Sequence, residues 1–156
     1  MNNKAQIALR KIQQELKVPK TQFNKFGGFN YRNVSDILEA IKPLLAKYDA
    51  LLILDDEVFF CGECIFLKAT ATLTVEGEQI SVHGYAWMAK SKKGMDEAQI
   101  TGTASSYARK YALNGLFLID DNADADSLTP AAPPAPTPSV NVFTGTIPPP
   151  PPPPTR

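Results

Sequence analysis

Residues 65–88 read IFLKATATLTVEGEQISVHGYAWM, and the alternation in this stretch decides the fold. Ile65, Leu67, Ala69, Ala71, Leu73 and Val75 fall on one side of an extended chain, and Lys68, Thr70, Thr72, Thr74 and Glu76 on the other. Successive side chains of a strand point to opposite faces, so the pattern predicts a half-buried strand over 65–76. A turn at Glu76, Gly77 and Glu78 reverses the chain. The next strand then directs Ile80, Val82, Gly84, Ala86 and Met88 inward, leaving Ser81, His83, Tyr85 and Trp87 outward. With a preceding strand over 51–60, the result is a three-stranded antiparallel meander with one face toward a core.

Helical spacing takes over on both sides of the meander. Residues 3–16 place Ile7 (or Ala8), Ile12 and Leu16 on one face, and the approach to Pro19 ends that helix. The stretch FNKFGGFNYR, residues 23–32, is rich in Gly, Asn and aromatics and reads as a loop or irregular strand. A second helix is expected to start at Ser35 or Asp36, with Asp36 and Glu39 at capping-box spacing. Its apolar face is Ile37, Leu38, Ile41, Leu44, Leu45 and Tyr48, and Pro43 predicts a kink or a shortened first turn. After a basic loop over 90–94, a last helix over 97–113 turns Ile100, Ala104, Tyr107, Ala108 and Tyr111 inward, is perturbed at Gly102, and is capped by Asn114 and Gly115. Helices segregated from strands in this way predict an α+β fold, the meander packed against helices.

Composition divides the chain in two. Of 14 prolines, all but Pro19 and Pro43 lie beyond residue 123, ending in an unbroken run at 148–154. Such a segment buries too little apolar surface to offset its ordering entropy, so a folded domain over 1–122 and a disordered Pro-rich tail over 123–156 are expected. The formal net charge is +0, but residues 1–119 hold 15 Lys and Arg against 12 Asp and Glu. Asp120, Asp121, Asp124 and Asp126 follow as an acidic knot. A mildly basic domain suits a polyanion partner only weakly. With no apolar run long enough for a bilayer and no signal-peptide pattern, a cytoplasmic protein with reduced cysteines and no membrane partner is expected.

Several chemistries find no support. There is no GxxxxGK[ST] loop to cradle a nucleoside triphosphate. Cys61, Gly62, Glu63 and Cys64 lie between two strands, not at a helix N-terminus, and read as a hairpin turn. With His83 as the only histidine, a four-ligand zinc site within one chain is not expected. Asp120 and Asp121 could hold Mg²⁺ for a nuclease, but carboxylates gathered at a domain edge read better as a solvated linker. No cofactor and no catalytic constellation is expected, and the chain reads as a non-enzyme.

Single-strand binders need cations for phosphates and flat rings on which bases stack. Residues 25–32 supply both, through Lys25, Phe26, Phe29, Tyr31 and Arg32, and Gly27 and Gly28 permit close backbone approach. Lys90, Lys92 and Lys93, together with Arg109 and Lys110 on the last helix, form a second group. The alternative is structural: the aromatics cover the core, and Arg109 and Lys110 form a solvated helix face.

The last helix reads QITGTASSYARKYAL over 99–113, followed by Leu116, Phe117, Asp120 and Asp121. This resembles the hallmark segment of the ERF (essential recombination function) family: Gln, then Gly-Ser/Thr-Ala, then Tyr-Ala-Arg-Arg/Lys-Tyr-Ala-Leu, a Leu-Phe pair and an acidic stretch. Tyr31, Arg32, Ile37, Leu38 and residues 41–45 resemble the family's N-terminal signature, and the similarity covers about 7–126. The resemblance implies a phage-encoded, ATP-independent protein that binds single-stranded DNA and anneals complementary strands as a homo-oligomeric ring or filament in the host cytoplasm. It implies a β-β-β-α core, and a single-strand-binding protein or exonuclease as a further partner. Tyr31, Arg32, Arg109 and Lys110, with Tyr107, carry over as DNA-binding positions. Lys25, Lys90, Lys92 and Lys93 are added on electrostatic grounds. Lys110 stands where Arg is common in the family, which keeps the charge but loses bidentate phosphate geometry. Tyr107 and Tyr111, one helical turn apart, are expected to pack. The rival readings are a Pro-rich-tailed adaptor without DNA activity and a metal-dependent nuclease using Asp120 and Asp121.

Overall fold

The computed structural model describes residues 3–119. The Pro-rich segment and the acidic knot from Asp120 to Asp126 lie outside the described residues. Within them the chain runs α1 (Lys4–Glu15), β1 (Gln22–Asn24), β2 (Phe29–Tyr31), α2 (Val34–Lys47), β3 (Leu51–Cys61), β4 (Cys64–Val75), β5 (Glu78–Met88) and α3 (Glu97–Phe117). It is α+β. β3, β4 and β5 form an antiparallel sheet in that order. Residues 23–32, left between loop and irregular strand by the sequence, form a small antiparallel hairpin of β1 and β2.

Both meander turns are two-residue turns. Val75 pairs with Glu78 across Glu76 and Gly77, whose φ values of 47° and 84° are the left-handed pair that a tight hairpin twisted like its strands requires. Cys61 pairs with Cys64 across Gly62 and Glu63, so the two cysteines close a hairpin, as their position between strands predicts.

One face of the sheet carries the core. Leu67, Ala69, Ala71 and Leu73 of β4 are buried against Ala104, Ala108, Ala112, Leu113, Leu116 and Phe117 of α3, with Ile12 of α1 and Ile37 and Ile41 of α2 closing the cluster. Each large side chain buried here contributes about 1.5–3 kcal/mol. Gly84 sets how close α3 comes. A Cβ at that position would sit 2.2 Å from the Ala108 carbonyl oxygen and 2.4 Å from the Ala112 nitrogen. The helix backbone thus rests directly on β5, with the small side chains of Ala104, Ala108 and Ala112 buried on that side.

This close approach corrects one sequence expectation. Tyr107 and Tyr111 do not turn inward; they are 50% and 48% exposed, displaced to the flank of α3 by the alanine stripe. The other corrections concern helix ends. α1 buries Ala5, Ala8 and Ile12, while Ile7 is exposed, so Ala8 takes the inward position. α2 is capped by Asn33, not by Ser35 or Asp36. Asn33 accepts from the Asp36 N–H at 2.8 Å, and Asp36 accepts from the Asn33 N–H at 2.9 Å. α2 then runs unshortened through Pro43, which costs it only the N–H that would have bonded the Glu39 carbonyl. α3 starts at a capping box of Asp96 and Gln99 and is uninterrupted at Gly102. It passes Asn114 and Gly115 and ends at Phe117, with Leu118 in the left-handed conformation (φ 54°). Burial of Leu113, Leu116 and Phe117 outweighs the local stop signal, because tertiary packing supplies most helix stability. Among the described residues, no helix is long and apolar enough to cross a membrane.

Candidate nucleic-acid interface

The flank of α3 facing β5 gathers the aromatic side chains that the core excludes. Tyr107 and Tyr111 stand at i and i+4 with ring centroids 6.1 Å apart and planes tilted by 42°. On the edge strand β5, Tyr85 and Trp87 are 49% and 68% exposed and alternate with the buried Gly84 and Ala86, which puts their side chains on the sheet face away from α3. Residues Tyr85, Trp87, Tyr107 and Tyr111 all border one groove of about 330 Å³, together with Lys92 and Met95 from the loop before α3. A bridge between Lys92 and Met95, with the Met95 N–H donating to the Lys92 carbonyl at 3.1 Å, folds that loop into a tight turn. Gly94, with φ 80°, provides the left-handed residue the turn needs.

Tyr107 also belongs to a second depression of about 120 Å³, lined by Tyr31, Arg32, Asn33, Val34, Ser106 and Lys110. Two distant signatures therefore meet. The end of β2 and the N-terminus of α2 come against the exposed side of α3, and Tyr107 is common to both hollows. Between them the two hollows are bordered by Tyr31, Tyr107, Tyr111, Tyr85 and Trp87 and by Arg32, Lys110 and Lys92. They can stack planar groups and offer positive charge beside them. Arg32 is 8% exposed, so it acts as a charge in the wall of the second hollow and not as an outstretched arm.

Other residues singled out from sequence lie elsewhere. Arg109 leans toward β3, where its Nε donates to both Asp56 carboxylate oxygens at 3.0 Å and its terminal nitrogen lies 2.9 Å from Oδ2. Ser105 donates to the same carboxylate at 2.6 Å. Arg109 thus ties α3 to β3, with its charge matched by Asp56. Lys90 lies 3.8 Å from Glu63 and borders a neighbouring hollow with Met88 and Ile100. Lys25, at the tip of the β1–β2 hairpin, and Lys93 line neither of the two aromatic hollows. The hairpin itself presents Phe23, Phe26 and Phe29 to solvent, with Phe29 edge-on to Tyr31 at 6.5 Å.

Sequence reasoning left Tyr85, Trp87 and Tyr111 out of the interface. For the first two the signal was present: β-alternation already put a Tyr and a Trp on the solvent side of one strand. For Tyr111 it was not, because its outward placement depends on the tight seat that Gly84 makes for the helix.

The opposite face of the sheet is uncovered by any described element. There Phe59 stacks on Phe66 at 5.4 Å and meets Tyr85 edge-on at 5.8 Å. Thr70 bonds His83 at 3.0 Å and Thr72 bonds Ser81 at 2.9 Å. No group of three or more potential metal ligands occurs among the described residues.

Comparison with known proteins places this geometry in context. The model of the ERF superfamily matches residues 6–139, reaching past Asp126 into the Pro-rich stretch. The essential recombination function protein of Salmonella phage P22 is 47% identical over 127 residues, which is 81% of this chain and 61% of that protein. The chain thus spans about three fifths of the length of that curated relative. No solved structure matches.

Proposed function

The chain belongs to the ERF superfamily, and from that premise we propose that it acts in recombination by binding single-stranded DNA and annealing complementary strands. The observation that carries the reading is the meeting of Tyr31 and Arg32 with Tyr107 and Lys110 in one hollow, beside a groove bordered by Tyr85, Trp87, Tyr111 and Lys92. Every base has a π-face, so exposed aromatics such as these hold single strands with little regard to sequence, and the lysines beside them neutralise phosphates.

In this mechanism the protein contributes alignment and charge neutralisation, and base pairing supplies both specificity and driving force. No nucleotide hydrolysis is required. A single domain with two or three cations at the groove binds weakly, so several copies acting side by side on one strand are needed. Two features favour assembly of identical chains in a ring or filament. β3 and β5 are the edges of the described sheet and are 11 residues long, and the open face exposes Leu51 and Ile53. Long free edges and apolar patches are surfaces that stable monomers avoid. A single-strand-binding protein or an exonuclease is a further partner expected of such a system.

The test is annealing of two complementary dye-labelled oligonucleotides without ATP, at low and high salt. The expected result is acceleration over protein-free DNA, reduced by salt and by Trp87→Ala with Tyr107→Ala. A folded protein that gives no acceleration at either salt overturns the reading and favours a non-binding adaptor. Shortening of the oligonucleotides with Mg²⁺ overturns it in favour of a nuclease.

A further inference from the structure

The fold brings the chain's two cysteines together at one hairpin tip, which the recombination reading does not use. We propose that Cys61 and Cys64 form a reversible dithiol–disulfide site whose exchange partners are small-molecule disulfides of the glutathione type. The inference does not depend on DNA binding.

Strand register sets the two thiols side by side. Cys61 ends β3, Cys64 begins β4, and they are direct Cα partners across the two-residue turn of Gly62 and Glu63. Gly62, at φ 59°, takes the first turn position, where one type of tight hairpin needs glycine. Directly opposed residues turn their side chains to the same face. Both thiols therefore share the sheet face away from α3 with the stacked rings of Phe59 and Phe66. The pair that closes such a turn exchanges both backbone hydrogen bonds, which holds its Cα atoms about 5.5 Å apart. Disulfides most often join Cα atoms about 5.5–6 Å apart, so the backbone already stands where the bond needs it. The Cβ atoms have to give instead: opposed residues hold them about 4.5–5.5 Å apart, and a disulfide draws them to about 3.8 Å. A bond that pulls on its hairpin and closes so short a loop adds little stability and is readily reduced. Those are the properties of an exchangeable disulfide.

Exposure divides the roles. Both cysteines are free; Cys61 is exposed and Cys64 half-buried, so Cys61 meets the incoming disulfide and Cys64 resolves it. The Cys61 thiolate attacks one sulfur of the small disulfide RSSR, forming a Cys61–SR mixed disulfide and expelling RS⁻. The Cys64 thiolate then attacks the Cys61 sulfur, closes the Cys61–Cys64 bond and expels the second RS⁻. Both thiol protons end on the two RSH released, and two electrons pass from the protein pair to RSSR. Among the described residues no third metal-ligating side chain forms a group with the two thiols. Two neighbouring thiols are all that this exchange requires, whereas a structural zinc site takes four ligands.

The sequence has no other cysteine, so every thiol event in the full chain reports this site. The experiment treats the reduced, folded full-length protein with excess glutathione disulfide, quenches it in acid and records the intact mass and the free thiols. The expected product is lighter than the starting protein by two hydrogens, retains no glutathione and has lost both free thiols. Excess reduced glutathione is expected to restore both. Cys64→Ser removes the resolving thiol and is expected to stop at the mixed disulfide, heavier by one glutathione on Cys61. Three results for the native chain each overturn the inference: both thiols left unreacted, a glutathione adduct that persists without closure, or disulfide-linked dimers in place of the internal bond. An internal bond that excess reduced glutathione cannot open overturns it as well.

Discussion

Gly84 is the residue on which the geometry of the interface turns. It allows the α3 backbone to rest on β5, which fills the contact with alanines and moves Tyr107 and Tyr111 to the flank. Gly84→Ala would drive a Cβ into the main chain at Ala108 and Ala112, where no side chain can rotate away. We expect it to destabilise the domain by about 1–3 kcal/mol, seen as a lower midpoint in urea unfolding. An unchanged midpoint would mean that the helix can lift from the sheet without loss. Arg109 and Tyr107 separate stability from binding. Arg109→Ala leaves the mostly buried Asp56 carboxylate without its cation and is expected to cost about 1–2 kcal/mol, discounted for the arginine's partial exposure. The folded protein should still bind DNA. Tyr107→Ala should do the reverse, removing a stacking contact of about 1–3 kcal/mol at little cost in stability. The Asp56 partner of Arg109 is 53 positions away, and spacing within one helix gives no hint of it.

At the scale of elements, the meander was legible because both strands around the turn at Glu76 and Gly77 alternate without error. One buried face per strand fixes register, since a one-residue slip would expose the whole core side. Helix ends were less legible. α2 begins one residue before Ser35, where Asn33 and Asp36 satisfy each other's backbone N–H groups. α3 outlasts Gly115 because burial of Leu116 and Phe117 is worth more than a glycine stop. Asn33→Ala should lower stability by about 1 kcal/mol, measured by chemical denaturation, whereas Ser35→Ala should change it little. Between α1 and α2, Glu15 accepts from Lys47 at 2.8 Å and from Tyr48, and Lys11 and Lys47 lie over the Tyr48 ring at 5.6 and 5.2 Å. Hydrogen bonds from Lys47 first and Tyr48 second hold the Glu15 carboxyl below its ordinary range. A carboxyl lowered in the folded state stabilises above its unfolded pKa, and that contribution fades as pH falls through the folded value. Glu15→Gln should therefore lower the midpoint at neutral pH and flatten the decline on its acid side. Parallel pH profiles for the two proteins would contradict this.

At the scale of the whole molecule, the net charge of +0 conceals a local asymmetry, with Lys92 and Lys110 at the two hollows and four aspartates in the sequence just beyond the described residues. Composition alone argued only weakly for a polyanion partner, because it averages over that separation. With Lys92 and Lys110 neutralising phosphates, the logarithm of single-strand affinity should fall with the logarithm of salt with a slope of about −1.4 per protomer. A salt-independent affinity would leave stacking alone to hold the strand. The aromatic half of the interface is tested most directly through Trp87, the only indole in the chain. Titrating the protein with oligothymidine while recording both Trp87 emission and DNA anisotropy asks whether bases stack in the groove of α3 and β5. The predicted result is saturable quenching of Trp87 that tracks the anisotropy rise, with both responses weakened by Tyr107→Ala. A rise in anisotropy with Trp87 emission unchanged would place the DNA elsewhere on the molecule and contradict the interface described above.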